Sequence, residues 1–143
     1  MSVASVLLLV GGCGWFQGPS QVDPVIIKEV RGIGVLKAGT TSRSYVNGRT
    51  EITNILVVDV GTMNPRDALD KAVDSLRELE WTTIAENRPI RVLMKSGKFS
   101  DVHASIAPFD PIYHKTEPEI LRALAGESGE REALVSLNVY EYR

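Results

Sequence analysis

The stretch "NPRDALDKAVDSLREL", residues 64–79, decides the fold class because it carries the sequence signals of an amphipathic helix. Asn64 is a favourable N-cap, Pro65 suits the first helical position, and Asp67 lies near the positive end of the helix dipole. Five apolar residues recur at helical spacing on one face: Leu69, Ala72, Val73, Leu76 and Leu79. We therefore predict a helix that starts at Pro65 and packs this face against a sheet.

The residues before this helix show strand patterns. Residues 51–60 form a long apolar segment, and the run Ile55 to Val58 favours burial on both faces, so we predict a strand in the centre of its sheet. The pair Asn47-Gly48 just before it favours a tight hairpin turn. Residues 25–36 mix aliphatic and charged side chains and are interpreted as a strand, with a bend at residues 32–34.

Further elements follow the helix. Residues 81–85 and 90–94 are short strand-like runs that predict a hairpin, and residues 102–107 alternate as a third strand. Residues 116–119 form a capping-box pattern that opens a short helix through about Ala125. Residues 135–139 alternate apolar and polar side chains and predict a closing strand.

The order of these elements predicts an α+β fold. From Glu51 onward it is strand, helix, three strands, helix, strand, which corresponds to the split βαβ, or ferredoxin-like, plan. Both helices are then expected on one face of an antiparallel sheet. The segment before Glu51 would add an edge strand or a hairpin.

Composition indicates one globular domain. The chain has 143 residues, of which 43% are hydrophobic and 24% charged. Its single cysteine excludes an internal disulfide, and a net charge of −2 gives no reason to expect nucleic-acid binding. No apolar run approaches the roughly 20 residues needed to cross a bilayer. Contact with a membrane would therefore require an anchor.

The N-terminal residues supply such an anchor. Val3 to Val10 is a short apolar region of the length found in signal peptides, and it leads into Val10-Gly11-Gly12-Cys13. This sequence resembles the bacterial lipobox, in which an aliphatic residue and two small ones precede the cysteine. The resemblance implies cleavage before Cys13, a diacylglyceryl group on its thiol and a further acyl chain on its amine. At ~0.8 kcal/mol per buried CH₂, such chains hold a protein on a bilayer permanently.

The resemblance divides the chain into three parts: residues 1–12 as signal peptide, residues 13–23 as lipidated tether, and residues 24–143 as the α+β domain. The domain would lie on the extracytoplasmic face of the cell membrane, as in small lipoproteins of high-GC Gram-positive bacteria, which the chain resembles in general type. Signal peptides start with basic residues, whereas residues 1–12 contain no lysine or arginine. We therefore expect a start further upstream or a trimmed sequence.

A cytosolic protein is the alternative interpretation of the same residues. Gly12, Gly14 and Gly18 follow an apolar run, as in the phosphate-binding turn of nucleotide-binding domains. Such glycines must open a helix, but Pro19 and Pro24 interrupt the following segment. In this alternative the lone cysteine is a small buried hydrophobic residue.

A cluster of basic residues is the candidate binding surface. Four of them surround the central predicted hairpin and a histidine lies on the next strand: Arg88, Arg91, Lys95, Lys98 and His103. Such a surface favours anionic lipid headgroups, anionic cell-wall polymers or an acidic envelope protein. The domain is thus predicted to be a binding module of the envelope.

No motif predicts catalysis. The sequence has no Gly-x-Ser-x-Gly nucleophile elbow and too few histidine and cysteine residues for a zinc site, so we expect no enzymatic activity, cofactor or metal. A hydrolase with a cryptic site near Asp101 and His103 stays as an alternative. His114 is interpreted as a loop residue beside a lysine.

Overall fold

The computed structural model describes residues 21–99, 101–125 and 133–142. These residues form six strands and three α-helices, joined by turns and loops. In chain order they are α1 (Pro24–Arg31), β1 (Val35–Val46), β2 (Arg49–Asp59), α2 (Pro65–Glu78), β3 (Trp81–Asn87), β4 (Arg91–Ser96), β5 (Val102–Pro108), α3 (Pro118–Leu124) and β6 (Leu134–Glu141). A 3₁₀ turn, Pro111–His114, precedes α3. The predicted α+β class is confirmed.

The strands form one sheet in the order β1-β2-β6-β5-β4-β3, and each neighbouring pair is antiparallel. β2 has a partner on both sides, as its apolar sequence predicts. Its side chains alternate: Leu56 and Val58 belong to one core cluster, and Ile55 and Val57 to another. We call the side of Leu56 and Val58 the first face of the sheet and the opposite side the second face.

Both predicted hairpins are present. β1 and β2 join through Asn47 and Gly48, whose φ angles of 52° and 75° suit the tight turn that matches the twist of paired strands. β3 and β4 pair as the second hairpin, and β5 follows as the third strand of the meander. β6 closes the sheet between β2 and β5.

The predicted helix α2 covers the first face. The Asn64 side chain accepts a hydrogen bond from the Asp67 backbone N–H at 2.9 Å, which confirms the predicted cap. Five helix residues are buried against the sheet: Ala68, Leu69, Ala72, Val73 and Leu76. Leu79, which follows the helix, is partly buried beside them.

The prediction of a strand over residues 25–36 is wrong, because most of this segment is helix α1. The Asp23 side chain caps the helix by accepting from the Val25 backbone N–H at 2.9 Å. Ile26 and Val30 lie four residues apart, so they share one helix face and are buried on the first face of the sheet. The cap and this spacing outweigh the strand preference of the β-branched residues.

The folded domain includes the end of the predicted tether, since Val22 is only 2% exposed and belongs to the first-face core. Cys13, the predicted signal peptide and the glycines of the nucleotide-binding alternative lie outside the described residues. None of the helices in the described ranges is long and apolar enough to cross a membrane.

α3 lies on the second face, so the prediction that both sequence-derived helices share one face is wrong. Ile120 and Leu124 of α3 join a second core cluster with Ala38, Ile55, Val57, Phe109 and Leu134. The reason is that β2 is apolar on both sides and needs cover on both. Strand order also differs from the split βαβ plan, whose helices join parallel strands, because α3 joins β5 to its antiparallel neighbour β6.

The predicted capping box at the start of α3 is wrong, although the helix is present. Glu117 occupies the cap position without a side-chain cap, and the Thr116 hydroxyl donates to the Glu117 carboxylate. The Glu119 carboxylate accepts instead from the Thr40 hydroxyl on β1 at 2.6 Å, and this hydrogen bond lowers the pKa of Glu119. A contact with the sheet thus replaces the local cap.

Candidate functional site

Two of the predicted surface cations are engaged in ion pairs. Arg88 pairs with Asp70 and, at 3.5 Å, with Glu86. Lys98 pairs with Glu29 at 3.1 Å. Because each pair places a negative charge beside the positive one, neither side chain offers an uncompensated charge to an anionic partner.

The other three predicted residues, Arg91, Lys95 and His103, lie on the second face, on strands that α3 does not cover. Arg91 forms no ion pair with any residue that the structure describes. The His103 ring stacks on Tyr140 at 5.9 Å and meets the edge of Tyr142 at 5.4 Å. The five predicted residues therefore do not form one surface.

This uncovered part of the second face is a shallow polar groove. Leu93, Ser105 and Asn138 lie side by side across β4, β5 and β6, and the groove has a volume of about 350 Å³. The Asn138 side-chain oxygen is buried there without a hydrogen-bond partner. Burial raises the pKa of Tyr140 at the groove edge, an effect that the nearby Arg91 charge opposes. The groove thus presents neutral hydrogen-bonding groups beside Arg91, whose charge no described carboxylate pairs with.

A smaller pocket lies where this groove meets α3, and His114 is its most buried titratable residue. The Asp110 side chain caps the 3₁₀ turn by accepting from the Ile112 backbone N–H at 3.0 Å. The imidazole stacks on Phe109 at 5.2 Å, and His114 is only 5% exposed. The sequence assigned His114 to a loop, but the turn holds it inside the protein.

Both ring nitrogens of His114 have a polar neighbour. Nδ1 lies 3.3 Å from the Glu117 carboxylate, and Nε2 lies 3.3 Å from the Ser136 hydroxyl on β6. A carboxylate only accepts, so the ring proton belongs on Nδ1 and Nε2 is left to accept from Ser136. The pocket beside these residues has a volume of about 150 Å³, and Arg91 and Asn138 also line it. We call it the serine pocket.

Sequence reasoning missed the serine pocket because its parts are far apart in the chain. Ser136 and His114 are separated by 22 residues, and neither belongs to a known nucleophile motif. The three-residue spacing of His114 and Glu117 was the one local signal. Only the register of β6, which turns Ser136 to the second face, brings the hydroxyl to the ring.

A larger cavity with a positive rim lies on the first face, between α1 and the β1–β2 hairpin. Its volume is about 510 Å³, and Ile27 and Ile52 supply apolar lining. Lys28, Arg31 and Arg43 surround it, and none of the three forms an ion pair with a described residue. We call it the basic cavity. The sequence could not reveal it, because the predicted strand over residues 25–36 concealed that Lys28 and Arg31 share a helix.

Comparison with known proteins gives no relative for this chain: no family model matches it, and neither a curated protein nor a solved structure is significantly similar. Across residues 21–99, 101–125 and 133–142, no group of three or more His, Cys, Asp or Glu side chains is placed to hold a metal ion.

Proposed function

We propose that the chain is a lipid-anchored lipoprotein of the cell envelope whose domain binds an anionic polymer outside the membrane. The anchor is Cys13, in the lipobox-like Val10-Gly11-Gly12-Cys13. Val22, nine positions after Cys13, belongs to the core of the domain, so an anchored Cys13 would lie close to the folded domain. Acyl chains on Cys13 then hold the domain at the outer surface of the bilayer.

The basic cavity is the observation that carries the binding function. Three cations that form no ion pair with a described residue surround one concave surface, where the protein wall concentrates their field. A polymer with repeated phosphate or carboxylate groups can contact Lys28, Arg31 and Arg43 together. The aliphatic side chains of Ile27 and Ile52 would receive the carbon backbone between its charges.

The anionic polymer binds at the basic cavity and not at the surface around the β3–β4 hairpin. Arg88 and Lys98 already contact carboxylates of this chain. A polymer would have to displace those carboxylates, which removes most of the electrostatic gain. The cavity cations need no such exchange.

Replacing the anchor residue tests the location. In the native host, we expect the unmodified sequence in the membrane fraction as a chain that starts at Cys13 and carries lipid mass. Cys13→Ser should move the protein to the soluble fraction, whereas Ser20→Ala, which keeps the thiol, should stay in the membrane. If mass spectrometry detects an unmodified Cys13 with residues 1–12 still attached, that result would contradict the anchor and favour the cytosolic alternative.

Neutralising the basic cavity tests the binding site. We expect a variant with Lys28, Arg31 and Arg43 all changed to Gln to bind a glycerol phosphate oligomer about tenfold more weakly, a loss of about 1.4 kcal/mol. The measurement is calorimetric titration of the lipid-free Cys13→Ser protein. Binding should also weaken with salt, since exposed charges are screened.

A matched control has the same change in net charge on other parts of the surface. Changing Arg88, Arg91 and Lys95 to Gln should leave the affinity for the oligomer within about twofold, because these residues do not line the basic cavity. If the hairpin variant lost affinity and the cavity variant did not, the binding site would lie on the surface around the β3–β4 hairpin.

A further inference from the structure

We propose that Ser136, His114 and Glu117 form a catalytic site that hydrolyses small carboxylic esters. This activity is separate from polymer binding at the basic cavity. It differs from the sequence-based expectation that the protein has no enzymatic activity. It also moves the alternative hydrolase site from His103 to His114.

The three side chains have the connectivity of a serine hydrolase: nucleophile, base and orienting carboxylate. Ser136 Oγ lies 3.3 Å from His114 Nε2, and His114 Nδ1 lies 3.3 Å from Glu117 Oε1. Triads are recognised by this geometry and not by sequence order. Such contacts are often long without substrate and shorten when it binds.

The base is held in place by several contacts. The Glu117 backbone N–H donates to the His114 carbonyl oxygen at 3.1 Å, which helps to hold the carboxylate beside Nδ1 of the ring. Thr116 donates to the second oxygen of that carboxylate. Phe109 packs parallel to the imidazole, with an interplanar angle of 18°. The ring therefore keeps the tautomer and orientation that a general base needs.

Ser136 occupies a position where the sheet itself favours an apolar side chain. Its partners in register are Val57 on β2 and Ala107 on β5, and the preceding second-face residue, Leu134, lies in the core beneath α3. The His114 and Glu117 side chains are only 6% and 12% exposed, so their desolvation costs free energy. An aliphatic residue at position 136 would not bury a hydroxyl group in this part of the sheet. A catalytic role explains why serine occupies the position.

The serine pocket limits the substrate to a small acyl group. Its volume of about 150 Å³ resembles that of cavities that hold one benzene molecule. Arg91 and Asn138 line the same pocket, and their side chains carry N–H donors that can serve a developing oxyanion. His103 has no comparable arrangement, since its described ring contacts are Tyr140 and Tyr142.

The proposed ester hydrolysis consumes only the ester and water and needs no cofactor. The Ser136 oxygen attacks the ester carbonyl carbon while its proton passes to His114 Nε2, and Glu117 stabilises the resulting imidazolium. The tetrahedral intermediate then breaks its bond to the alcohol oxygen, which takes that proton and leaves. Water attacks the acyl-serine in the same way, so that the acid is released and Ser136 recovers its proton.

The test uses p-nitrophenyl acetate with the full chain. We expect release of p-nitrophenolate and a transient acetyl group on Ser136, identified by peptide mass spectrometry after rapid quenching. Ser136→Ala and His114→Gln should each lower the release rate at least about a hundredfold, the lower bound for losing a nucleophile or general base. Ser42→Ala, which removes an exposed hydroxyl on β1 outside the serine pocket, should keep the rate within about threefold.

The folded state and polymer binding are measured as controls, because neither depends on catalysis by Ser136. Ser136→Ala should retain the circular dichroism spectrum and the affinity for the glycerol phosphate oligomer. Equal release rates for the unmodified protein and a folded Ser136→Ala variant would overturn the proposal. Acetylation found only on residues other than Ser136 would overturn it as well.

Discussion

Replacing Trp81 with alanine is expected to lower the free energy of unfolding by about 3–5 kcal/mol, the usual cost of removing a large buried aromatic side chain. Trp81 starts β3, is 1% exposed and belongs to the first-face core. Its indole N–H donates to the Glu29 carboxylate at 3.2 Å, so it also links the sheet edge to α1. Domains of this size are stable by only about 5–15 kcal/mol, which makes the loss a large part of the total.

Two further variants separate volume from hydrogen bonding. Trp81→Phe removes the indole N–H but keeps most of the apolar side chain, and we expect a loss of about 1–2 kcal/mol. Thr82→Ala, at the exposed neighbouring position, should change the stability by less than about 0.5 kcal/mol. Urea unfolding followed by far-ultraviolet circular dichroism is the suitable measurement, because the substitution removes one of two tryptophans. Equal effects of Trp81→Ala and Thr82→Ala would contradict the assigned burial.

Adding one methyl group at Gly34 is expected to destabilise the protein by about 1–3 kcal/mol, the range for overpacked positions. A Cβ atom there would lie 2.3 Å from the Asp59 carbonyl oxygen and 2.8 Å from a methyl group of Val58. The nearest atom belongs to the backbone and cannot rotate away. Gly34→Ala should therefore push the start of β1 away from the end of β2.

Gly39, within β1, provides the control for this substitution. A Cβ atom there meets nothing closer than 3.5 Å, and that neighbour is the end of the Leu56 side chain. Gly39→Ala should leave the stability unchanged or raise it by about 0.4–1 kcal/mol, because alanine restricts the unfolded chain. Thermal unfolding of the two variants side by side is the measurement. An equal loss in both would show that strand glycines in general, and not the close approach at Gly34, set the cost.

The elements with a clear hydrophobic period were predictable from the sequence. α2 combines a cap with an apolar stripe, and β2 has a doubly apolar run, so both carry their own evidence. The local signals of α1 conflict, because Val25, Ile26 and Ile27 favour a strand whereas the Asp23 cap and the apolar spacing favour the helix. The position of α3 was equally hidden, since the face on which a helix packs depends on the strand order.

The residues of the candidate sites were less predictable because they meet only in the folded chain. Arg88 and Lys98 are basic in sequence, but Asp70 and Glu29 come from distant helices to pair with them. The basic cavity combines two basic residues of α1 with Arg43 of β1. Composition and local spacing contain no information about these long-range pairings.

If Cys13 is the proposed anchor, the position of Val22 limits how far the domain can move from the bilayer. With a lipid on Cys13, the nine residues that lead to Val22 can span at most about 30 Å. Gln21 and Val22 themselves line the basic cavity, so this opening stays within that reach of the headgroups. A polymer fixed to the same membrane would meet the cavity at an effective concentration in the millimolar range. Even a dissociation constant near a millimolar would then leave the cavity occupied by polymer for much of the time. Such weak binding would also release the polymer rapidly.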